Sequence, residues 1–559
     1  MKKLKLMKKL KLPLFIFLVL FLAFFSFNSL MRPGYFPMHD DMQPIRVLGI
    51  DQCLRDGQIP CRWVPDLGYG YGYPLFIYYP PLAYYLMEVF HLVGFSFLAS
   101  IKIEFILTFI FSGLAMFLLS RSLWGDFGGL VAAVFYVYAP YRATDIYSRG
   151  AVGEFTALVF LPLIFWAILE FVRQKKTKYL IFLALSYGGL LLTHNITSLI
   201  FTPVAAFWGL FLLWYYREWK LLPKILGGAI LGIGLAGFFI LPVVFEKNLV
   251  HVESMLSGYF NYLAHFVSLR QLFFSTHWGY GSSVFGPGDD FTFAIGTFHW
   301  LFAFLALVFS LRLWKKEKFS FFTLIFLGAV GLASAFLAHQ RSTFIWNKIS
   351  LLAYLQFPWR FLALVIFAFS TMAGAIVSYF KKYSLLVGIL LISGVIILNV
   401  NYFRPIGWLD ITDQDKFSGE LWEKQVTASI FDYLPVFAKA PPAGKAPAQP
   451  EVIVGEAEVF YFEKGTDWQK GEIKVISEQA KIQLPLFYFP KFELRVDGQE
   501  TPIDYQNDLG LITFAVAEGE HDFYVKLKRT PIRIIGDFLT LSSLLFIGGW
   551  LINEKRKPK

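Results

Sequence analysis

Charge is scarce in this chain. Of its 559 residues only 16% are Asp, Glu, Lys or Arg, against about 25% in an ordinary soluble domain. Cysteine is scarcer still: Cys53 and Cys61 are the only two, too few for a disulfide framework or a cysteine-built metal cluster. No P-loop follows a strand, and there is neither a dinucleotide fingerprint nor a nucleophile elbow. These absences argue against a nucleotide-driven pump and a Rossmann enzyme. No clear inverted repeat of the transporter kind stands out either. What fills the space is apolar: 56% of residues are hydrophobic, 19% aromatic, and Phe alone occupies 63 positions. A water-soluble globule cannot hide that much apolar surface, so most of the chain belongs in a bilayer.

The net charge of +11 raises the question of nucleic acid. The basic residues, however, fall in short clusters between apolar runs, the topogenic pattern of a membrane protein. Nucleic acid is therefore not an expected partner. About twelve runs approach the length of a membrane helix: 12–30, 100–120, 128–141, 154–172, 179–193, 197–216, 223–243, 292–311, 319–338, 357–380, 383–401 and 533–552. The third and fifth are short. The first follows a lysine-rich start (Lys2, Lys3, Lys5, Lys8, Lys9, Lys11). A cleaved signal peptide is one reading. The run is long for that and Phe24-Phe25-Ser26-Phe27-Asn28-Ser29-Leu30 lacks a small-x-small site, so an uncleaved signal-anchor is preferred.

Threading the runs alternately collects the N-terminal lysines, Arg121, Arg173–Lys178, Arg217, Lys220, Lys224, Arg312–Lys318, Lys381, Lys382 and Lys555–Lys559 on one side. That side is expected to be cytoplasmic, with both termini there. The other side receives loops 31–99 and 244–291 and the segment 402–530. The first loop is rich in Tyr and suits short helices lying in the membrane interface. In the last segment a Pro- and Ala-rich stretch, Leu434–Pro450, precedes alternating runs at 456–462, 472–476, 481–486, 491–496, 511–516 and 521–527, separated by turn signals such as Asp497-Gly498 and Glu518-Gly519. The expected architecture is an all-α multi-spanning bundle over 1–401, an extracytoplasmic domain over 402–530 that is a β-sandwich from about 451, and a final helix with a basic tail over 531–559.

Several constellations stand out. His39-Asp40-Asp41 follows the first run, and adjacent carboxylates beside a membrane are costly unless solvated, paired or metal-bound. A solvated loop is the plain alternative. The stretch Tyr141–Glu154 gathers Arg142, Arg149, Asp145 and Glu154; arginine suits phosphate because its fork is planar and permanently charged, and an ordinary polar loop is the plain alternative. Thr193-His194-Asn195 interrupts an apolar run, where a polar group faces a cavity, a substrate or a hydrogen-bonding neighbour. Between His251 and Asp290, His251, Glu253, His265, Arg270 and His277 match no zinc spacing. Arg360 opens the tenth run, placed either to bind a lipid phosphate or to anchor the interface beside Trp359. Cys53 and Cys61 lie close together in a loop expected to face an oxidising space, which favours a disulfide.

His39-Asp40-Asp41, the run Gly68-Tyr69-Gly70-Tyr71-Gly72-Tyr73-Pro74, Tyr78-Tyr79-Pro80-Pro81-Leu82, Thr193-His194-Asn195 and Gln356-Phe357-Pro358-Trp359-Arg360-Phe361 resemble the bacterial and archaeal membrane proteins labelled 6-pyruvoyl-tetrahydropterin synthase-related. The stretch from Phe487-Tyr488-Phe489-Pro490 to His521 resembles the outer domain of YfhO-like membrane proteins. The label does not describe the chemistry, since nothing here matches a soluble pterin synthase with a three-histidine zinc site. The resemblance implies a GT-C glycosyltransferase of the cell membrane, using a polyprenyl-phosphate sugar on the outer face and passing the sugar to an envelope glycan, lipid or protein. It implies a catalytic base in the first outer loop, at Asp40 or Asp41, and a second acid at Glu154, with Asp145 behind it. Arg149, His194, Asn195, Arg270 and Arg360 are then candidate substrate contacts. A divalent cation, Mg or Mn, would fall to Asp40, Asp41 and Glu154 if one takes part. Two rival classes also fit an outer polar surface: a lipid-linked glycan flippase, and a non-catalytic scaffold that binds glycans through the β-domain.

Overall fold

The structure is a computed structural model of the full chain, and it describes residues 2–284, 286, 289–428 and 432–556. The tail 557–559 and the pair Pro287-Gly288 of the Gly-Pro-Gly-Asp-Asp run lie outside the described residues, as do the side chains of the N-terminal lysines, Lys381 and Lys555. The chain folds into two compact units. One comprises Met1–Asp41, Leu98–Ile233 and Leu256–Asp410; the other comprises Met42–Phe97, Gly234–Met255 and Ile411–Lys559.

Among the described residues, eight helices are long and apolar enough to cross a membrane: Leu12–Met31, Phe97–Val137, Val152–Gln174, Asn195–Tyr216, Lys318–Ala338, Pro358–Tyr379, Ser384–Tyr402 and Pro531–Glu554. The pair Trp219–Leu235 and Gly237–Phe245 makes a ninth if taken as one span. The difference from about twelve runs has local causes. The second and third runs are two helices that meet at Gly125, whose backbone (φ 81°, ψ −179°) is not helical, and the count of eight takes them together as Phe97–Val137. The runs at 179–193 and 292–311 fold as Lys178–Leu191 and Thr297–Ser310, each 14 residues, shorter than the ~20 needed to span 30 Å.

The first unit is a helical bundle around Pro358–Tyr379. This helix begins with Pro at its first turn, where a missing N–H costs nothing, and 94% of its apolar window is buried. Lys318–Ala338 and Thr297–Ser310 pack on it. Trp124 donates its indole N–H to Thr371 O at 2.8 Å. Val152–Gln174 packs on Lys178–Leu191 and Asn195–Tyr216, with Phe165 and Trp208 stacked at 4.9 Å. Backbone polar groups are satisfied within each helix, the condition for spanning lipid.

The second unit holds a six-stranded antiparallel sheet: β1 (Glu451–Val454), β2 (Ala457–Lys464), β3 (Trp468–Phe487), β4 (Phe492–Val496), β5 (Gln499–Thr501) and β6 (Leu511–Leu527). The order is β1-β3-β6-β4-β5, with β2 also pairing with β3. Four runs expected as separate strands merge into β3 and β6. Buried side chains of β3 include Ile473 and Val475 before residue 479, and Ala480, Ile482, Leu484 and Leu486 after it. This change of parity coincides with the register shift between Val475 and Gln479 opposite Gly519 and Ala517. The shift leaves two more residues on β3 than on β6, a bulge that bends the strand, so Glu518-Gly519 lies opposite a bulge and is not a turn. The described strands form one sheet and not two facing ones. Aromatic residues from Met42–Phe97 pack on it instead: Trp63 lies edge-on to Phe492 at 5.3 Å and Tyr71 against Phe487 at 5.2 Å. The carboxylate of Asp56 accepts from Thr466 N and Oγ1 and from Trp468 Nε1 at 2.7–2.9 Å. Those contacts hold its pKa below the usual range although burial opposes them. Cys53 and Cys61 form a disulfide with Cα atoms 5.4 Å apart, within the geometric range.

Candidate active site

The polar stretch Tyr141–Glu154 is not a solvated loop. Pro140–Ala143 makes one helical turn, Thr144–Arg149 continues as a π-helical turn, and Gly150 ends it in the left-handed region at φ 66°. A π turn widens the backbone ring and re-aims its side chains, and such turns concentrate at functional sites. Gly150 has a second reason to lack a side chain: a Cβ there would lie 2.2 Å from Met38 Sδ. A Cβ on Gly153 would likewise lie 2.7 Å from Thr193 O, so this glycine lets the helix Val152–Gln174 approach the turn that carries His194.

The result is an ion-pair cluster in the first unit. Arg149 Nη1 donates to Asp145 Oδ1 at 2.5 Å and to Glu154 Oε2 at 2.9 Å. Tyr141 donates its hydroxyl to Glu154 Oε1. Arg360 Nε lies 3.6 Å from Glu154 Oε2, and its Nη1 donates to Leu355 O and Gln356 Oε1 at 2.8 and 3.1 Å. The Arg149 guanidinium lies 4.6 Å from the ring of Trp359, a cation–π contact that holds its plane. Trp359 is itself fixed by Phe357, Phe291 and Phe293 and by a bond from its indole N–H to Ser283 Oγ at 3.2 Å. Two arginines thus converge on one buried carboxylate, each with its guanidinium over an aromatic ring, Trp359 for Arg149 and Phe357 for Arg360.

Burial sets the charge state of the surroundings. Burial first, and then the charge of Glu154, raises the pKa of Asp145 well above the carboxylate range. Burial works against the charge of Arg149, but Glu154 outweighs it and the pKa moves up. His194 caps the helix Asn195–Tyr216 by accepting the Thr197 amide on Nδ1 at 3.2 Å, which places the ring proton on Nε2. Burial pulls its pKa down to about 3, and Arg360 and Arg149 act in the same direction against Glu154. His194 is therefore a neutral N–H donor at physiological pH.

The acidic pair meets this cluster through its backbone. His39 N donates to Ser148 O at 3.0 Å and Asp40 N to Arg149 O at 2.9 Å. Asp40 is thereby pinned alongside the π turn, and both Asp40 and Asp41 are half-buried. Their charges, after burial itself, raise the pKa of Tyr35. His39 is exposed and its Nε2 pairs with Tyr280 O at 2.7 Å.

Of the residues singled out in the sequence, Arg149, Glu154, Arg360 and His194 come together, Asp40 and Asp41 run beside them, and Asn195 opens the helix behind His194, half-buried. Arg270 is exposed on the short helix Leu269–Phe273, outside the ion-pair cluster. A divalent cation does not fit at Glu154, whose two oxygens are already engaged by Tyr141 and Arg149 with Arg360 beside them. Among the described residues no group of three or more His, Cys, Asp or Glu side chains is placed to hold a metal ion.

Two further buried groups lie outside the candidate site residues. Arg142 is fully buried, its guanidinium 4.7–5.2 Å from the rings of Phe155, Tyr136 and Phe109 and without a hydrogen-bond partner among the described residues. Glu104 accepts from Thr108 and Thr156 inside the bundle. The sequence shows Arg142 as one cation of the Tyr141–Glu154 stretch, and its cage appears only once rings from Phe97–Val137 and Val152–Gln174 surround it.

Residues 76–406, more than half of the chain, match the family described as 6-pyruvoyl-tetrahydropterin synthase related domain, a membrane protein family. The chain belongs to that family. A protein of Lactococcus lactis subsp. cremoris described as uncharacterized is 26% identical over 225 residues, covering 39% of this chain and 35% of the relative. The match thus spans about a third of that relative's length. Among solved structures, the Archaeoglobus fulgidus oligosaccharyltransferase in its apo form aligns with a TM-score of 0.41 at 13% identity, over 71% of this chain and 56% of that one. ArnT of Cupriavidus metallidurans bound to undecaprenyl phosphate aligns with a TM-score of 0.34 at 13% identity, over 70% and 74%.

Proposed function

We propose that this family member is a membrane glycosyltransferase that moves a sugar from a polyprenyl-phosphate donor to a hydroxyl of an envelope acceptor. The observation that supports it best is the backbone pairing of Asp40 with Arg149. It sets the backbone of a half-buried acidic residue against the turn that carries Arg149, whose guanidinium is held by Trp359 and Glu154. In this reading the donor phosphate is drawn to Arg149 and Arg360, whose forks suit phosphate oxygens. The acceptor oxygen attacks the anomeric carbon and its proton passes to Asp40 or Asp41. The bond from the anomeric carbon to the phosphate oxygen breaks, and the arginines take up the charge that develops on the leaving lipid phosphate. His194 supplies an N–H to a substrate oxygen. The site faces the outside and both termini lie in the cytoplasm, as the clusters of positive residues suggest.

The test replaces Asp40 and Asp41, singly and together, by Asn in the full-length protein. Membranes are assayed with radiolabelled polyprenyl-phosphate sugars for a new glycosidic product, and donor binding is measured in parallel. Loss of product by about 100-fold or more with donor binding retained is the expected result. Unchanged transfer in the double variant would sink the assignment of the base. Label that crosses the bilayer without a new bond would put the flippase class ahead.

A further inference from the structure

The second unit contains a cavity of about 290 Å³ that the proposed transfer chemistry does not use. Strand β6 ends at Leu527 and the helix Pro531–Arg556 begins four residues later, so Lys526, Lys528, Arg529 and Arg533 crowd one wall. The opposite wall is the turn Gly57–Pro60 and Arg62, closed by the disulfide of Cys53 and Cys61. Five cations line this cavity, with Asp467 as the lining carboxylate.

The neighbouring carboxylates do not balance them. Asp537 binds Arg62 at 2.6 Å and Arg529 at 3.2 Å. Glu246 binds Arg533 Nε at 2.9 Å. Asp467 lies 3.9 Å from Lys526. Lys528 has no ion pair among the described residues. Arg533 is 1% exposed, yet its Nη2 has no hydrogen-bond partner among them. Leaving a buried guanidinium N–H unmet is costly. Burial lowers the pKa of Arg62, Asp537 opposes that, and Arg533 and Arg529 lower it further, as expected where cations outnumber anions.

We infer that this cavity is a phosphate-binding site at the membrane edge, in which Arg533 Nη2, Arg62, Arg529 and Lys528 hold a phosphate group. An anion with several acceptor oxygens satisfies converging guanidinium and ammonium donors at once. The size matches one small polar group at the low end of ligand pockets. The helix that begins at the cavity is apolar and only 17% of its window is buried, so its first turn brings the cations to headgroup level. The phosphate comes either from an anionic lipid headgroup or from free phosphate.

The experiment uses the full chain. In detergent, its thermal unfolding is followed against inorganic phosphate, with chloride at matched ionic strength as control. In nanodiscs, phosphatidylcholine alone is compared with phosphatidylcholine containing phosphatidylglycerol. A saturable rise in the unfolding midpoint with phosphate assigns a free anion. A rise only with phosphatidylglycerol assigns the headgroup. In either arm the exposed pair Lys528→Gln and Arg529→Gln raises the half-saturating concentration by about tenfold or more, and Arg533→Lys, which keeps the charge beside Glu246, weakens it less. No rise in either arm, an equal rise with chloride, or an unchanged response in the Lys528→Gln, Arg529→Gln variant would overturn the proposal.

Discussion

Around Glu154, two arginines meet two carboxylates; around Arg533, five cations meet three carboxylates, Asp467, Asp537 and Glu246. Both clusters are built on arginines paired with carboxylates, yet the difference in balance suits them to different uses. In the first, Glu154 binds the hydroxyl of Tyr141 on one oxygen and Arg149 on the other, and the guanidinium lies over the ring of Trp359. Such a cluster is rigid before any ligand arrives, which is what a reacting site needs. In the second, a donor of Arg533 has no partner among the described residues, and the surplus positive charge is itself the attraction for an anion. Matching charges fixes geometry, whereas leaving them unmatched creates affinity.

The sharpest way to break the first cluster is to remove its anchor. Glu154→Gln leaves Arg149 buried with less compensation and is expected to cost about 3–5 kcal/mol of stability, together with loss of transfer. Chemical or thermal unfolding in detergent measures the first, and the product assay measures the second. Unchanged stability would mean that Glu154 does not organise the arginines.

The second cluster responds in the opposite sense when a carboxylate is removed. Asp537→Asn frees Arg62 and Arg529 and is expected to lower the half-saturating phosphate concentration roughly tenfold, while the phosphate-free protein loses about 1–3 kcal/mol. A titration of the unfolding midpoint reads both effects. Weaker phosphate binding in this variant would contradict the surplus-charge argument.

The smallest effect comes from a third arrangement, an acid pair that shares one cation. Asp51 is bonded to Arg55 at 2.8 Å, and buried Glu88 faces Asp51. Burial, and then the charge of Asp51, raises the pKa of Glu88 to about 7. A carboxyl whose folded pKa lies above its unfolded value binds its proton better when folded, so its contribution is full below about pH 4.5 and is lost as pH rises through about 7. Glu88→Gln is therefore expected to stabilise by about 2 kcal/mol at pH 8 relative to its effect at pH 5. Midpoints of unfolding measured at the two pH values check this; a pH-independent difference would show that Glu88 stays charged.

The apolar runs fixed the membrane class from composition alone, and the alternating segments after residue 451 announced strands. Hydrophobic periodicity is a property of neighbours along the chain, so it survives without tertiary context. The same locality explains the miscounts. The apolar runs at 179–193 and 292–311 fold as helices of only 14 residues, and the bulge near Gln479 joins two strand signals into β3, because pairing with β6 outweighs a local turn preference. At the candidate site, the sequence pointed to Asp40, Asp41, Arg149, Glu154, His194 and Arg360 by residue type and order. It did not show that Asp40 pairs with the backbone of Arg149, that Arg360 reaches Glu154, or that Tyr141–Glu154 is buried around a π turn. Those facts depend on segments far apart in the chain meeting in space. The phosphate cavity is the extreme case. Its cations are visible in the sequence as ordinary basic residues after a strand, and only the fold, by placing Arg62 and the disulfide-closed turn opposite them and burying Arg533 short of a partner, turns them into a site.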